Sequence, residues 1–302
     1  MKQGLPKKIT IHEVVLRDGI QNEKKIVPTE EKLRLIGDLV ACGIRRIEVS
    51  SFVNPKLVPQ MADAEELWER IERTRGVLYS ALILSEGGLE RAIRRRVPHV
   101  GVFVSASETH SRKNSNKSVS EALKEAVRLV GRAQDAGMKV RAGVMNAFGC
   151  AYEGAVPLSR VLKLVKVFKK SGADEICLAD SSGLANPLQL EGVIHRVRAL
   201  TGETALSLHL HNTRGLGLAN VYAALEQGVS IFDTSLGGLG GCPFIPGARG
   251  NIATEDTVYL LHEMGLKTGV DLDGLVRAGK PIESFLGKTF QTVASVLKRP
   301  PC

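Results

Sequence analysis

Three separated groups of residues in this 302-residue chain have the types needed for chemistry at an activated carbonyl compound. The first is Arg17-Asp18-Gly19, the second His209-Leu210-His211. The third is a glycine-rich run, Gly237-Gly238-Leu239-Gly240-Gly241-Cys242-Pro243, followed by Asn251 in Gly250-Asn251-Ile252-Ala253-Thr254-Glu255-Asp256. On a strand His209 and His211 project from the same face. With Asp18 they offer two neutral nitrogens and a carboxylate oxygen, a set suited to a divalent metal with positions open for substrate. Asn251 would add a neutral oxygen. The oxygen share suits Mg²⁺ or Mn²⁺, with Zn²⁺ as an alternative. Arg17 keeps its charge at any working pH and could hold a carboxylate or enolate oxygen. A salt bridge to Glu13 or Glu48 is its ordinary alternative, and Glu48 reads as that partner or as support behind the ligands. The glycines around Cys242 allow close approach to a ligand and loop movement. With no histidine beside it in sequence, Cys242 suits acid–base work better than nucleophilic attack. The plainer alternatives are two satisfied core histidines and a packing cysteine.

These groups need elements that bring them together. A recurring unit supplies them: an amphipathic helix, a glycine, then a short apolar strand. It occurs around Gly43, Gly137, Gly172 and Gly228. Glycine just past a helix takes the left-handed cap at little cost, and the apolar run suits a parallel strand covered on both faces. Eight strands are expected near 9–17, 45–51, 77–83, 99–106, 139–146, 174–180, 205–211 and 230–236, with helices such as 120–136 and 158–170 between them. That arithmetic predicts an α/β fold, a TIM (β/α)8 barrel. A doubly wound sheet would offer a Gly-x-Gly-x-x-Gly turn after strand one, and none is present. One catalytic domain is expected over 1–302, with the barrel over about 9–270 and extra C-terminal helices over about 271–302. In a barrel the C-terminal strand ends form the active mouth, where Asp18, Glu48, His209, His211 and the Cys242 loop would meet.

Composition narrows the partners. The net charge of +9 favours an anionic ligand. Nucleic acid is not expected, because only 4% of residues are aromatic and no binding module appears. Arg94-Arg95-Arg96 reads as a solvated helix end. Five cysteines without a Cys-x-x-Cys pair argue against a disulfide scaffold and a structural zinc site. No apolar run reaches the roughly 20 residues of a membrane helix. No signal-peptide pattern follows the basic start. A soluble, cytoplasmic protein is expected, with a mature mitochondrial form also compatible.

The motifs taken together resemble the hydroxymethylglutaryl-CoA lyase family, in the metal-dependent lyase and Claisen-synthase superfamily of TIM barrels. The resemblance covers most of 9–280. It rests on Arg17-Asp18-Gly19-Ile20-Gln21-Asn22-Glu23-Lys24, Glu48-Val49-Ser50-Ser51-Phe52, Lys113-Asn114, Gly149-Cys150-Ala151-Tyr152-Glu153-Gly154, His209-Leu210-His211, Gly240-Gly241-Cys242-Pro243 and the 250–256 segment. It implies cleavage of a 3-hydroxyacyl-CoA into acetyl-CoA and a keto acid, acetoacetate in the parent reaction. It further implies a metal on Asp18, His209, His211 and Asn251, enolate stabilisation by Arg17, and proton delivery by Cys242 with His209 as a second proton carrier. Asn114 and Arg141 would face the CoA side, Gln21 and Ser51 the acyl portion, and relatives suggest a homodimer. Condensing synthases share Arg-Asp-Gly and His-x-His, but the Cys242 loop and the short tail favour a lyase. A non-catalytic barrel is disfavoured because all four ligand positions are filled. One departure bears on substrate. Asn212-Thr213-Arg214-Gly215 stands where well-known lyases have Asp-Thr-Tyr-Gly, which suggests an altered acyl group such as that of citramalyl-CoA.

Overall fold

In the computed structural model, which describes residues 4–240, 250–290 and 292, eight parallel strands close into a barrel. They are β1 (Thr10–Glu13), β2 (Arg46–Ser51), β3 (Leu78–Ile83), β4 (His99–Ser105), β5 (Lys139–Met145), β6 (Glu175–Asp180), β7 (Ala205–Leu210) and β8 (Ile231–Thr234). Each pairs with its successor, and β8 closes on β1 with Asp233 in register with His12. The expected TIM barrel is therefore the fold, with an outer layer of helices around the strands.

The repeated glycines do what their positions require. Gly43, Gly137, Gly172 and Gly228 all have positive φ, between 76° and 92°. At Gly43 no other residue fits: an added Cβ would lie 2.1 Å from the Gly269 carbonyl oxygen. The helix over 120–136 is found as Val119–Asp135, opened by Ser118 and Glu121 in a reciprocal capping box. The second expected helix is Leu158–Lys170.

The expected first and last strands overran. β1 ends at Glu13, and Val15–Gly19 forms a π-helical turn in which the amides of Arg17, Asp18 and Gly19 all converge on the Val14 carbonyl. The apolar Val14-Val15-Leu16 resembles a strand because it is fully buried, not because it is extended. β8 likewise stops at Thr234, before a short turn at Leu236–Gly238. Of the expected C-terminal helices, Leu272–Leu286 is described, packed against the helices Thr29–Ala41 and Thr254–Glu263. Just beyond it, Phe290 lies so close to Gly237 that a Cβ there would meet its ring at 2.4 Å. No helix of the described residues is long and apolar enough to cross a membrane.

The barrel interior departs from the usual filling of branched apolar side chains. Arg46, Arg141, Glu175, Asp233, His12, His99 and Ser207 are all buried within the closed sheet or at its base. Each guanidinium faces a carboxylate: Arg46 lies 2.7 Å from Glu175, and Arg141 lies 3.0 Å from Glu175 and 2.8 Å from Asp233.

Candidate active site

The π-helical turn after β1 aims two consecutive side chains into the barrel mouth. The Arg17 Nε donates to Glu48 at the middle of β2, and its Nη1 donates to Asp18. Glu48, and not Glu13, is therefore the arginine's second carboxylate. Nη2 of Arg17 has no hydrogen-bond partner among the described residues. Asp18 also accepts from Gln21 Nε2 at 3.1 Å and Asn251 Nδ2 at 2.8 Å. His209 lies on β7 and His211 just past its end, where it bridges Asn251. Their Nε2 atoms approach to 3.0 Å, and each lies 3.9 Å from Asp18 Oδ2. The chain returning after the glycine loop zips onto the mouth, Ile252 N donating to Leu210 O and Asn212 N to Gly250 O. That pairing delivers Asn251.

Electrostatics keep the group ready for a cation. Burial alone would raise Asp18, but Arg17, His209 and His211 outweigh it and hold the carboxyl down at about 2. Burial and then His209 push His211 down to about 4, so its imidazole is neutral at neutral pH. Burial alone would lower Arg17, yet Glu48 and Asp18 hold it above its ordinary value. Asp18, His209 and His211 present ligand atoms within 4.8 Å of one another. Asn251 Oδ1 is buried without a hydrogen-bond partner among the described residues, an orphaned acceptor on the amide whose Nδ2 donates to Asp18. That donor set fits a divalent cation of hard or borderline character.

Arg17, Asp18, Glu48, Gln21, His209, His211 and Asn251 thus come together as expected. Both nitrogens of His209 are occupied, Nδ1 by Asp233 at 3.1 Å and Nε2 within the ligand group, which suits a ligand more than a proton carrier. Ser51 ends β2, with its hydroxyl donating to the Leu82 carbonyl. Asn114 is exposed on the helix Glu108–Ser115 and lines a cleft with Leu84, Ser111, Lys117 and Glu125, apart from the ligand group. Arg141 requires a correction. It is 1% exposed inside the barrel, committed to Asp233, Glu175 and Ser207, and presents no guanidinium to a CoA at the mouth. Its strand position points it inward near the start of β5, where the closed sheet covers it. Cys242 lies outside the described residues, as does Cys302. The loop's described start is tied to the site: Leu239 O accepts from Asn251 Nδ2, and a Cβ on Gly240 would sit 2.7 Å from the Asp18 carbonyl oxygen. The two departures from the lyase pattern hold local structure. Asn212 Oδ1 accepts from Gly217 N at the start of the next helix, and Arg214 Nη1 donates to the carbonyls of Ser182 and Gly183.

Sequence reasoning passed over Asp233, named Glu13 only as a possible partner of Arg17, and gave Glu255 no role of its own. Asp233 carries His209 from below. Burial alone would raise it, but Arg141 and then His12 hold it well below the usual range. Glu13 joins three segments around the mouth, accepting from Val15 N, Leu236 N and Thr254 Oγ1. Glu255 accepts from Gly237 N with both oxygens. The available signal for Asp233 and Glu13 was an acidic residue within a short strand, in Ile231-Phe232-Asp233-Thr234 and at the end of Thr10-Ile11-His12-Glu13.

Burial pushes Glu13 up to about 7 and Glu255 up to about 8. Each carboxyl therefore binds its proton more tightly folded than unfolded. The resulting stability is present below the ordinary carboxylate range and is lost as pH rises toward 7–8. Chelator-treated protein is expected to lose on the order of 2 kcal/mol or more between about pH 5.5 and about pH 8.5. Glu255→Gln, which keeps an acceptor for Gly237 N, should flatten that slope. Equal slopes in denaturant titrations of the two proteins would refute the assignment.

A cation site flanked by a permanent positive charge, at the carboxyl ends of parallel barrel strands, defines the metal-dependent TIM-barrel enzymes. Within that class the chain belongs to the HMGL-like family, whose model matches residues 8–282. The hydroxymethylglutaryl-CoA lyase YngG of Bacillus subtilis is 45% identical over 283 residues, covering 94% of this chain and 95% of that protein. A Pseudomonas aeruginosa protein named 3-hydroxy-3-isohexenylglutaryl-CoA/hydroxy-methylglutaryl-CoA lyase is 40% identical, over 95% of each chain. Among solved structures, the B. subtilis HMG-CoA lyase superposes with a TM-score of 0.94 at 44% identity, over 97% of this chain and 98% of that one. An HMG-CoA lyase from Acinetobacter baumannii, solved with coenzyme A and 3-methylmalate, gives 0.91 at 38% identity over 98% of both chains.

Proposed function

We propose that this protein is a divalent-metal-dependent carbon–carbon lyase that cleaves hydroxymethylglutaryl-CoA into acetyl-CoA and acetoacetate. The reading is carried by the buried convergence of Asp18, His209 and His211 beside Arg17, in a chain related along nearly its whole length to lyases of that name. Asp18, His209, His211 and Asn251 Oδ1 would hold Mg²⁺ or Mn²⁺. Such an ion, when bound, supplies Lewis acidity that makes the substrate's 3-hydroxyl more acidic.

The rest falls to the chain's own side chains. As the hydroxyl proton leaves, the C2–C3 bond breaks, a carbonyl forms at C3, and the electron pair passes into the thioester as an enolate. Arg17, with Nε and Nη1 held by Glu48 and Asp18, keeps Nη2 for the enolate oxygen. Cys242 delivers a proton to the enolate carbon; the hydroxyl proton passes to solvent at the mouth, and solvent reprotonates the thiolate afterwards, so none is consumed overall. Gln21 and Ser51 would serve the acyl group, and Asn114 the CoA. Cys242→Ala is expected to lower kcat by about 10²–10⁴-fold with metal affinity unchanged. A variant that turns over at the wild-type rate would remove Cys242 from the mechanism.

The deciding experiment is a panel of thioesters with Mg²⁺ or Mn²⁺: hydroxymethylglutaryl-CoA, its isohexenyl analogue and citramalyl-CoA. The highest kcat/KM is expected for hydroxymethylglutaryl-CoA, because Asn212 and Arg214 are occupied in holding loops. A preference for citramalyl-CoA would overturn that substrate assignment. We further propose a cytoplasmic homodimer, which fractionation and light scattering test.

A further inference from the structure

Beneath the ligand group, charged side chains of alternating sign run through the barrel. Arg46 on β2 pairs with Glu175 on β6 at 2.7 Å, and Glu175 with Arg141 on β5 at 3.0 Å. Arg141 Nη2 lies 2.8 Å from both oxygens of Asp233 on β8. Asp233 Oδ2 lies 3.1 Å from His209 Nδ1, and its Oδ1 lies 2.9 Å from His12 Nδ1. Two guanidinium groups face two carboxylates, all nearly inaccessible. Protonating either acid would leave a buried positive charge uncompensated, which is strongly disfavoured. Asp233 is therefore a carboxylate, which can only accept. His209 must then give it the Nδ1 hydrogen, and Nε2 is left with its lone pair facing His211 and Asp18. His211 has no such support among the described residues: its Nδ1 is buried and finds no partner there.

We infer that Asp233 is a positioning residue, which fixes His209 as the Nδ1–H tautomer and so presents Nε2 to a metal ion, with Arg141 and its ion-pair partners holding Asp233 in the charged form. The inference rests on the proposed metal-dependent function only in assigning the lone pair a cation. It also explains why the barrel interior is polar. A packed apolar core would be no less stable, but could not orient an imidazole from below. Arg141, set aside as a CoA contact, acts here through Asp233.

Two measurements test it. In metal-free wild-type protein carrying ¹⁵N-labelled histidine, NMR should show His209 as the Nδ1–H tautomer. Finding Nε2–H would overturn the inference, whether or not any variant folds. In Asp233→Asn, a side chain of the same shape without the charge, Mn²⁺ affinity followed by electron paramagnetic resonance should fall about 10–100-fold, with the His209 tautomer no longer uniform. Unchanged affinity and an unchanged tautomer would also overturn it. A wild-type protein with the Nδ1–H tautomer that binds no Mn²⁺ would sink the proposed function, and the positioning role with it. Affinity intact in wild type and in Asp233→Asn sinks the positioning role alone.

Discussion

Asp18→Ala is expected to lower kcat by about 10³-fold or more and to erase the rise in thermal midpoint that Mn²⁺ gives the wild-type protein. The first figure follows from the several kcal/mol that a bound cation contributes through Lewis acidity, at about 1.4 kcal/mol per factor of ten. The second follows because a ligand that binds only the folded state stabilises it by mass action. Asp18 is the single anionic member of the group it forms with His209, His211 and Asn251. Alanine would leave two neutral imidazoles and an amide, with Arg17 nearby and repelling any cation. The substitution also strips acceptors from Arg17 Nη1, Gln21 and Asn251, so some loss of metal-free stability is expected. The informative readout is the difference between midpoints with and without Mn²⁺. A variant stabilised by Mn²⁺ as strongly as wild type would show that Asp18 is no ligand.

Arg17→Met should lower kcat by about 10²–10³-fold, the usual loss when a donor to a developing oxyanion is removed. Mn²⁺ binding should survive, since Asp18 loses a competing cation and keeps its place. The variant has a structural cost that must be separated from the catalytic one. Glu48 is 1% exposed and would be left without its guanidinium, a loss of about 3–5 kcal/mol for a broken buried pair. Arg17→Met/Glu48→Gln removes the stranded charge. That double variant should recover much of the thermal midpoint while kcat stays low. If kcat recovers along with stability, Arg17 serves the fold and not the enolate.

The candidate ligands were legible in the sequence because each is declared locally. His209 and His211 stand two apart in an apolar run, and Asp18 and Asn251 lie in the short polar segments that end such runs. The topology then does the gathering: in a closed parallel barrel every strand's carboxyl end reaches one mouth, so residues far apart in the chain need no mutual signal to meet. Arg141 went astray for the opposite reason. Its resemblance-based role depended on how far up β5 it sits, and that height is set by register with Glu175 on the next strand.

The sequence by itself determined the barrel, its strand order and the set Asp18, Arg17, Glu48, His209, His211 and Asn251, since glycine caps, apolar strands and motif spacing are properties of short segments. Tertiary structure alone decided the rest. It bent the apolar segment after β1 into a π-helical turn, so that Arg17 and Asp18 face inward together. It tied Glu13 and Glu255 to the base of the glycine loop, set Asn212 and Arg214 to holding loops, and stacked Arg141 and Asp233, 92 residues apart, beneath His209. The physical reason is common to all of these. A buried charge takes its role from whichever partner the closed sheet brings within hydrogen-bonding distance, and that distance exists only once all eight strands are in register.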